Sequence, residues 1–179
     1  MKILSIGTDR KLFEEGSVVR ARMIEYGKLF GERHIIVFNT ESKPTTKISE
    51  NVFVYSTDSS SKFFYILDAI RLGKKILCSG DFQLTCQDPF ETGLAGWWLA
   101  KKFKIPLELQ IHTDIGSSYF TSLKLGWWLA SLNFFRFRLA KFLLPRADKI
   151  RVVSSRIKNF IITSFKIADN KIEVRPIKI

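Results

Sequence analysis

The chain has 179 residues, a net charge of +12 from 29 Lys and Arg against 17 Asp and Glu, and aromatic rings at 13% of its positions. A chain of that length fits one domain, 1–179, that buries roughly 70% of its unfolded surface, and Cys78 and Cys86 have neither metal nor disulfide-framework spacing, which points to a reducing cytosol. The opening "MKILSIG" is too short and too soon interrupted for a secretory signal or a membrane span.

In chain order, "KILSIG" (2–7) reads as a strand ending in Gly, and "SVVRARMIEYGKLF" (17–30) as a helix with Val19, Met23, Tyr26 and Phe30 at helical spacing. "RHIIVFN" (33–39) and "NVFVYST" (51–57) read as strands, with the polar "TESKPTTKISE" (40–50) a loop between them. Phe63, Ile66, Leu67, Ile70 and Leu77 predict one apolar face of a helix over about 62–78. "FQLTCQ" (82–87) is the next strand, and "DPFE" (88–91) predicts a helix start with Asp88 as N-cap and Glu91 closing a capping box.

"LELQIH" (107–112) is a strand, a long helix spans about 119–144, "KIRVVS" (149–154) is a strand, and Ser154 or Ser155 caps "RIKNFIITSF". "KIEVRPIKI" closes the chain as a strand or the start of a linker. Alternating strands and helices predict a Rossmann-like α/β fold, an open and mostly parallel sheet with helices on both faces.

Ligands of such sheets bind beyond the carboxyl ends of the strands, which selects the residues following each strand. Gly16 and Ser17 precede a helix whose free N–H groups can bind an anion, and Arg20 lies in its first turn, where a cation opposes the helix dipole unless something negative compensates it. A plain Ser cap with solvated arginines explains the same residues. His112 and Asp114 stand at the mouth of the expected crevice, where the imidazole can contact a substrate hydroxyl or phosphate, or simply hold the loop. Asp88 is a further candidate, already explained by capping. "GTDRKLFEEG" is not a GxGxxG fingerprint, no GxxxxGK(S/T) is present, and neither a zinc site nor a hydrolase triad is supported by the two histidines, His34 and His112.

The pentapeptide "GWWLA" occurs at 96–100 and 126–130. The first copy lies in a short helix where Gly93, Gly96 and Ala100 permit close packing and Trp98, Leu99 and Phe103 face the sheet. In the second, Leu125, Trp128, Leu132, Phe135, Leu139 and Leu143 form a core stripe, leaving Trp127, Ala130, Phe134, Phe137 and Lys141 on another face beside Arg138. No acidic residue occurs from 115 to 147, against five basic ones. Trp127, Phe134, Phe137, Arg138 and Lys141 therefore suit an interfacial helix on an anionic membrane surface, with docking on another protein the competing reading. The aromatic surplus ranks lipid and phosphate ahead of nucleic acid, and no specific nucleic-acid partner is expected.

Together, "MKILSIGTD", "EGSVVRARMIEYGKL", "TCQDPFETGLAGWWLAKKFKIPLELQIHTD", "LPRADKIRVVSSRIKNFI" and "NKIEVRPIKI" resemble the N-terminal half of a glycosyltransferase of family 4, with its two-domain GT-B architecture. The resemblance implies an acceptor-side domain of a retaining enzyme that transfers a sugar from a nucleotide-sugar donor to a glycan or lipid-linked acceptor without an obligatory metal or other cofactor. By resemblance Gly16 and Ser17 approach the donor diphosphate and His112 lies near the transferred sugar. Arg20 is then expected beside the diphosphate loop, and Asp88 and Asp114 on the acceptor side. The paired glutamates of the donor-binding C-terminal domain are absent, so the chain is expected to be inactive alone. The cysteines and the basic aromatic helix lead to an expected cytoplasmic location, peripheral at the inner face of a membrane. The alternative is a stand-alone basic module that binds a membrane surface or a partner without catalysis.

Overall fold

The computed structural model describes residues 2–78, 80–117, 120 and 126–176. Among these, the strands are β1 (Lys2–Gly7), β2 (Arg33–Val37), β3 (Thr46–Ser49), β4 (Val52–Ser56), β5 (Phe82–Cys86), β6 (Leu107–Ile111), β7 (Lys149–Val152) and β8 (Ile172–Val174). The helices are α1 (Val18–Phe30), α2 (Tyr65–Leu77), α3 (Glu91–Phe103), α4 (Trp127–Leu143) and α5 (Ser155–Phe165). One sheet takes all the strands in the order β3-β4-β2-β1-β5-β6-β7-β8, and only the β3–β4 pair is antiparallel.

Alternation along the strands divides the core in two. Ile35, Val37, Val52 and Val54 pack beneath Val19, Met23 and Ile24 of α1. Leu4, Ile6, Leu84, Leu109 and Ile150 point the other way, into the larger core shared with α2, α3, α4 and α5. Over β5 and β6 the face opposite that core is polar, with Gln83, Thr85, Glu108 and Gln110 alternating with the buried Leu84, Leu107 and Leu109. Because β1 leads outward to β2 while β5 returns to its other side, the chain reverses direction between β1 and β5, and the crevice of an open parallel sheet lies there.

Four local expectations are corrected. The 40–50 loop contains β3, an edge strand whose alternation is too short to see, since Ile48 is its one buried side chain. α2 buries Ala69, Gly73, Ile76 and Leu77 and leaves Phe63 90% exposed and Leu67 out in solvent. The helix packs closely on Leu99 of α3 at Gly73; Ile66, Ile70 and Leu77 of the expected face do reach the core, and only Leu67 and Phe63, which precedes the helix, turn outward. The capping box does not form: α3 begins at Glu91, and Asp88 turns the chain before it, its Oδ1 accepting from Phe90 N at 2.8 Å. Glu91 instead pairs with Arg136 at 2.9 Å while still favouring the helix dipole.

The fourth concerns α4. It meets the layer through Ala130, Ala140 and Leu143, small or slender side chains that allow close approach, so Trp128 and Phe135 are exposed rather than covering the sheet. Phe137, assigned to the interfacial stripe, is half-buried with its ring 5.5 Å from that of Phe165. Ala130 of that stripe is buried as well. Lys124 and Leu125 lie outside the described residues. The two GWWLA copies thus do different work: Trp97 and Trp98 are half-buried against the core, while Trp127 and Trp128 face out.

Candidate active site

The loops leaving β1 and β5 meet at the crevice. Gln87, the residue after β5, accepts through Oε1 from Thr8 N at 2.7 Å and from Thr8 Oγ1 at 3.3 Å, tying the two strand ends together across 79 positions of sequence. Sequence reasoning made Gln87 the last residue of a strand, 82–87, and gave it no role. The signal for it lies in its position at the strand-order reversal, which is visible only once the sheet order is known.

From Thr8 the chain passes through a short 3-10 turn, Arg10–Phe13, whose first N–H groups include Lys11 N bonded to Asp9 Oδ1 at 3.1 Å. Gly16 then takes φ = +77°, a left-handed conformation that glycine reaches without a side-chain penalty. Ser17 caps α1: its Oγ accepts from Arg20 N at 3.2 Å and donates to Lys11 O at 2.5 Å. The hydroxyl is committed to the turn, and what faces the solvent is the helix start itself, beside open space at Gly16 and the exposed Val18. The Arg20 guanidinium lies 3.9 Å from Glu15, an almost fully exposed carboxylate that offsets part of its conflict with the dipole.

His112 follows β6, two strands over from β1 at the same edge, which separates it from the end of β1 by about 10 Å. Its ring belongs to a hydrogen-bonded ladder on the polar sheet face. Thr85 Oγ1 donates to Glu108 Oε1 at 3.2 Å, and Gln110 Nε2 donates to Thr85 Oγ1 at 3.0 Å and to Glu108 Oε1 at 3.4 Å. That fixes the Gln110 amide with its oxygen toward His112 Nε2, 3.2 Å away. A carbonyl oxygen only accepts, so Nε2 carries the proton and Nδ1 is left as an acceptor. Partial desolvation, and then the charge of Arg151, push the imidazole pKa below its ordinary value and keep the ring neutral at pH 7. Gln110 was missed in the sequence, although Glu108, Gln110 and His112 at spacing two mark one polar strand face.

The remaining candidates are engaged in local structure. Asp114 Oδ1 accepts from Gly116 N at 3.2 Å and its Oδ2 pairs with Arg156 at 3.0 Å, which ties the loop after β6 to α5. Asp88 is half-buried in its turn, its backbone N–H donating to Thr92 Oγ1 at 3.2 Å. Burial raises its carboxyl pKa, partly offset by the Phe90 N–H. His34 is buried at the opposite end of the sheet between Glu32 and Tyr55, away from the crevice. Among the described residues no three His, Cys, Asp or Glu side chains converge as a metal site.

Asp88→Asn keeps an oxygen for the Phe90 N–H and removes the buried charge. A carboxyl whose folded-state pKa is raised contributes stability while protonated and loses it as pH rises through that value. The variant is therefore expected to equal or exceed the parent at pH 7, with an advantage that grows above pH ~3.9, the ordinary aspartate value. Denaturant midpoints across pH 4 to 8 check this. A loss of stability in the variant at every pH would show that the turn depends on the charge itself.

Residues 31–176 match the family model described as Glycosyltransferase Family 4. No curated protein sequence matches the chain. Among solved structures the fold is similar to that of Anabaena HepE in complex with UDP and glucose, with a TM-score of 0.64 and 14% identity over 98% of this chain and 44% of that one. It is also similar to the lipopolysaccharide outer core galactosyltransferase WaaB in its apo form, at 0.59 and 16%, covering 97% and 45% of the two chains. A third likeness is to UDP-GlcNAc 2-epimerase from Methanocaldococcus jannaschii, at 0.58 and 20%, again covering 97% and 45%. At these identities the likeness is one of fold, and the chain spans less than half the length of each structure. The family match covers most of the sequence, from β2 to β8 with the ladder behind His112, so the chain belongs to Glycosyltransferase Family 4.

Proposed function

We propose that this chain is the acceptor-side half of a retaining glycosyltransferase that passes a sugar from a nucleotide-sugar donor to a glycan or lipid-linked acceptor. In this reading the start of α1 beside Gly16 and Ser17 receives the donor diphosphate. Uncompensated N–H groups and the positive end of the helix dipole favour the negative charge that grows on the leaving group. Arg20 adds a nearby cation. His112, neutral and with Nδ1 as acceptor, orients a sugar hydroxyl rather than removing its proton. Asp88 and Asp114 shape the acceptor side through the loops they hold. No metal takes part in this scheme.

The observation that carries the reading is that an open helix start and an oriented neutral histidine flank the same strand-order reversal, in a chain matched over residues 31–176 to this family. Coverage of less than half of each similar structure supports a companion donor-binding domain, and with it inactivity of this half alone. The two free thiols, Cys78 exposed and Cys86 buried, support a cytoplasmic location.

Likeness to a UDP-GlcNAc 2-epimerase favours one second reading, chemistry on the nucleotide sugar itself without an acceptor. Titration with UDP followed by amide NMR tests the site. Shifts centred on residues 16–20 and 112 are expected, and shifts confined to another edge of the sheet would overturn the placement. Assay of the purified 179-residue chain with UDP-sugars should release no UDP and yield no epimer. Turnover by this chain alone would overturn the half-enzyme reading, and an epimerised product would select the second one.

A further inference from the structure

The sequence expectation of an interfacial helix named a face that the structure corrects. Once α4 has seated Ala130, Phe137, Ala140 and Leu143 against the layer, its outward side carries Trp127 (74% exposed), Trp128 (67%), Phe134 (60%) and Phe135 (59%), with Phe142 further along. At 1.5 Å per residue this helix is about 25 Å long. Monomeric soluble proteins rarely leave so many large rings contiguous and solvated without a use for them.

The polar groups on the same side all bear the same sign or none. Ser131, Arg138 and Lys141 are exposed among the rings, and no acidic residue occurs from 115 to 147. At its far end the surface continues onto α3. Arg146 lies 3.9 Å over the Phe142 ring, Phe142 meets the edge of Trp97 at 5.2 Å, and Lys101 sits 5.5 Å from the Trp97 ring. A cavity of about 370 Å³ opens between these groups. The one carboxylate lining it, Asp148, is occupied by the Leu107 N–H at 2.9 Å.

We infer that the outward face of α4, from Trp127 to Phe142 and onward over Arg146 and Lys101, is a docking surface for an anionic phospholipid bilayer. Tryptophan and phenylalanine rings belong at headgroup depth, while Arg and Lys beside them meet lipid phosphates, so the two halves of the composition are satisfied at once. A second copy of the chain fits poorly, because a two-fold contact through this face would set cation against cation in a molecule of charge +12. A companion lobe closing on the crevice could reach Trp127 and Trp128 at the start of α4 but not the rest of the face, since Phe142 lies about 22 Å further along the helix. Among the described residues no helix is long and apolar enough to cross a membrane, so attachment through this face is lateral. The inference is independent of glycosyl transfer.

The test is sedimentation of the 179-residue chain with vesicles of phosphatidylcholine alone and of phosphatidylcholine containing phosphatidylglycerol, together with tryptophan emission. Binding to the anionic vesicles, a blue shift on binding and release by high salt are expected. The R138Q/K141Q variant should lower the partition coefficient by about thirtyfold, at roughly one order-of-magnitude step per 1.4 kcal/mol and about 1 kcal/mol per basic residue lost. The F134S/F135S variant should lower it about a hundredfold, the lower end of what withdrawing two phenylalanine rings from water supplies. All four side chains are exposed in whole or large part, and far-UV circular dichroism confirms that both variants fold. Equal binding to neutral and anionic vesicles, or unchanged binding in either variant, overturns the inference. So does concentration-dependent dimerisation of the parent that F134S/F135S abolishes, which would make the face a protein interface.

Discussion

Gly96→Ala is expected to destabilise the chain by about 3 kcal/mol. In an open helix the same change gains about 0.5 to 1 kcal/mol, because glycine has more backbone freedom to lose. Here a Cβ on Gly96 would fall inside the contact radius of Cys86 Sγ and lie 3.4 Å from both Leu84 and Leu107. All three neighbours are buried strand residues, so α3 would have to lift off the sheet or Cys86 would have to leave its place. The steric term outweighs the backbone gain. The diagnostic measurement is a double-mutant cycle with Cys86→Ala, in which urea denaturation gives each stability. If the clash with sulfur is the cause, the double variant recovers about 1 to 2 kcal/mol relative to the sum of the two single changes. Strict additivity would show that the cost of Gly96→Ala comes from elsewhere in the helix.

His112→Ala, placed in the enzyme completed by its donor-binding domain, is expected to lower turnover about a hundredfold, the scale of losing one positioning contact in the transition state. Folding should be unaffected, because the ring is exposed and its single described hydrogen bond is to Gln110. A variant with normal turnover would remove His112 from the site. The pH dependence has a definite sign. Desolvation and Arg151 hold the imidazole pKa below the ordinary value, so activity that needs a neutral ring persists at pH 7 and is lost as pH falls through that lowered value. The ring's contribution to folding stability is lost over the same interval. Gln110→Ala releases Nε2 from its acceptor and should give a smaller loss in turnover together with a downward shift of the acid limb, because a carbonyl accepting from Nε2–H favours the charged ring, and a simple packing defect would not move that limb.

The doubly wound plan was legible because it rests on long runs of residues with one periodicity. The strands at 2–7, 33–37, 52–56, 82–86, 107–111 and 149–152 all fall where apolar runs placed them. What was less legible was where each helix face is centred. In α2 and α4, Ile66, Ile70, Leu77, Leu139 and Leu143 reach the core as their spacing predicts, but Leu67, Trp128 and Phe135 do not, because the neighbouring layer is met through Gly73, Ala130 and Ala140. Helix contacts are decided by how closely backbones can approach, and small residues announce that only weakly in a hydropathy pattern. β3 escaped notice for a related reason, as four residues with one buried Ile carry almost no alternation.

Of the site, the turn at Gly16 and the cap at Ser17 could be read locally because both depend on neighbours within six positions. The ladder behind His112 could not, since Thr85 and Glu108 become partners only through the β5–β6 register. Asp88 shows the opposite error. Its sequence context spelled a helix cap, but its Asx turn is closed by Phe90, the residue that itself precedes the helix start at Glu91.

The central position of β1 has a consequence for assembly. Its first neighbour, β2, pairs Ile3 with Arg33, whereas its second, β5, pairs Lys2 with Phe82. Closing the longer loop costs about 1 kcal/mol more chain entropy than closing the shorter one. The α1 side of the sheet has its own cluster of apolar residues drawn from the first 54 positions, so a nascent chain can collect that half while β5 is still being synthesised. The junction of Thr8 with Gln87 then closes late, and the crevice coincides with the seam along which the two halves of the molecule are joined.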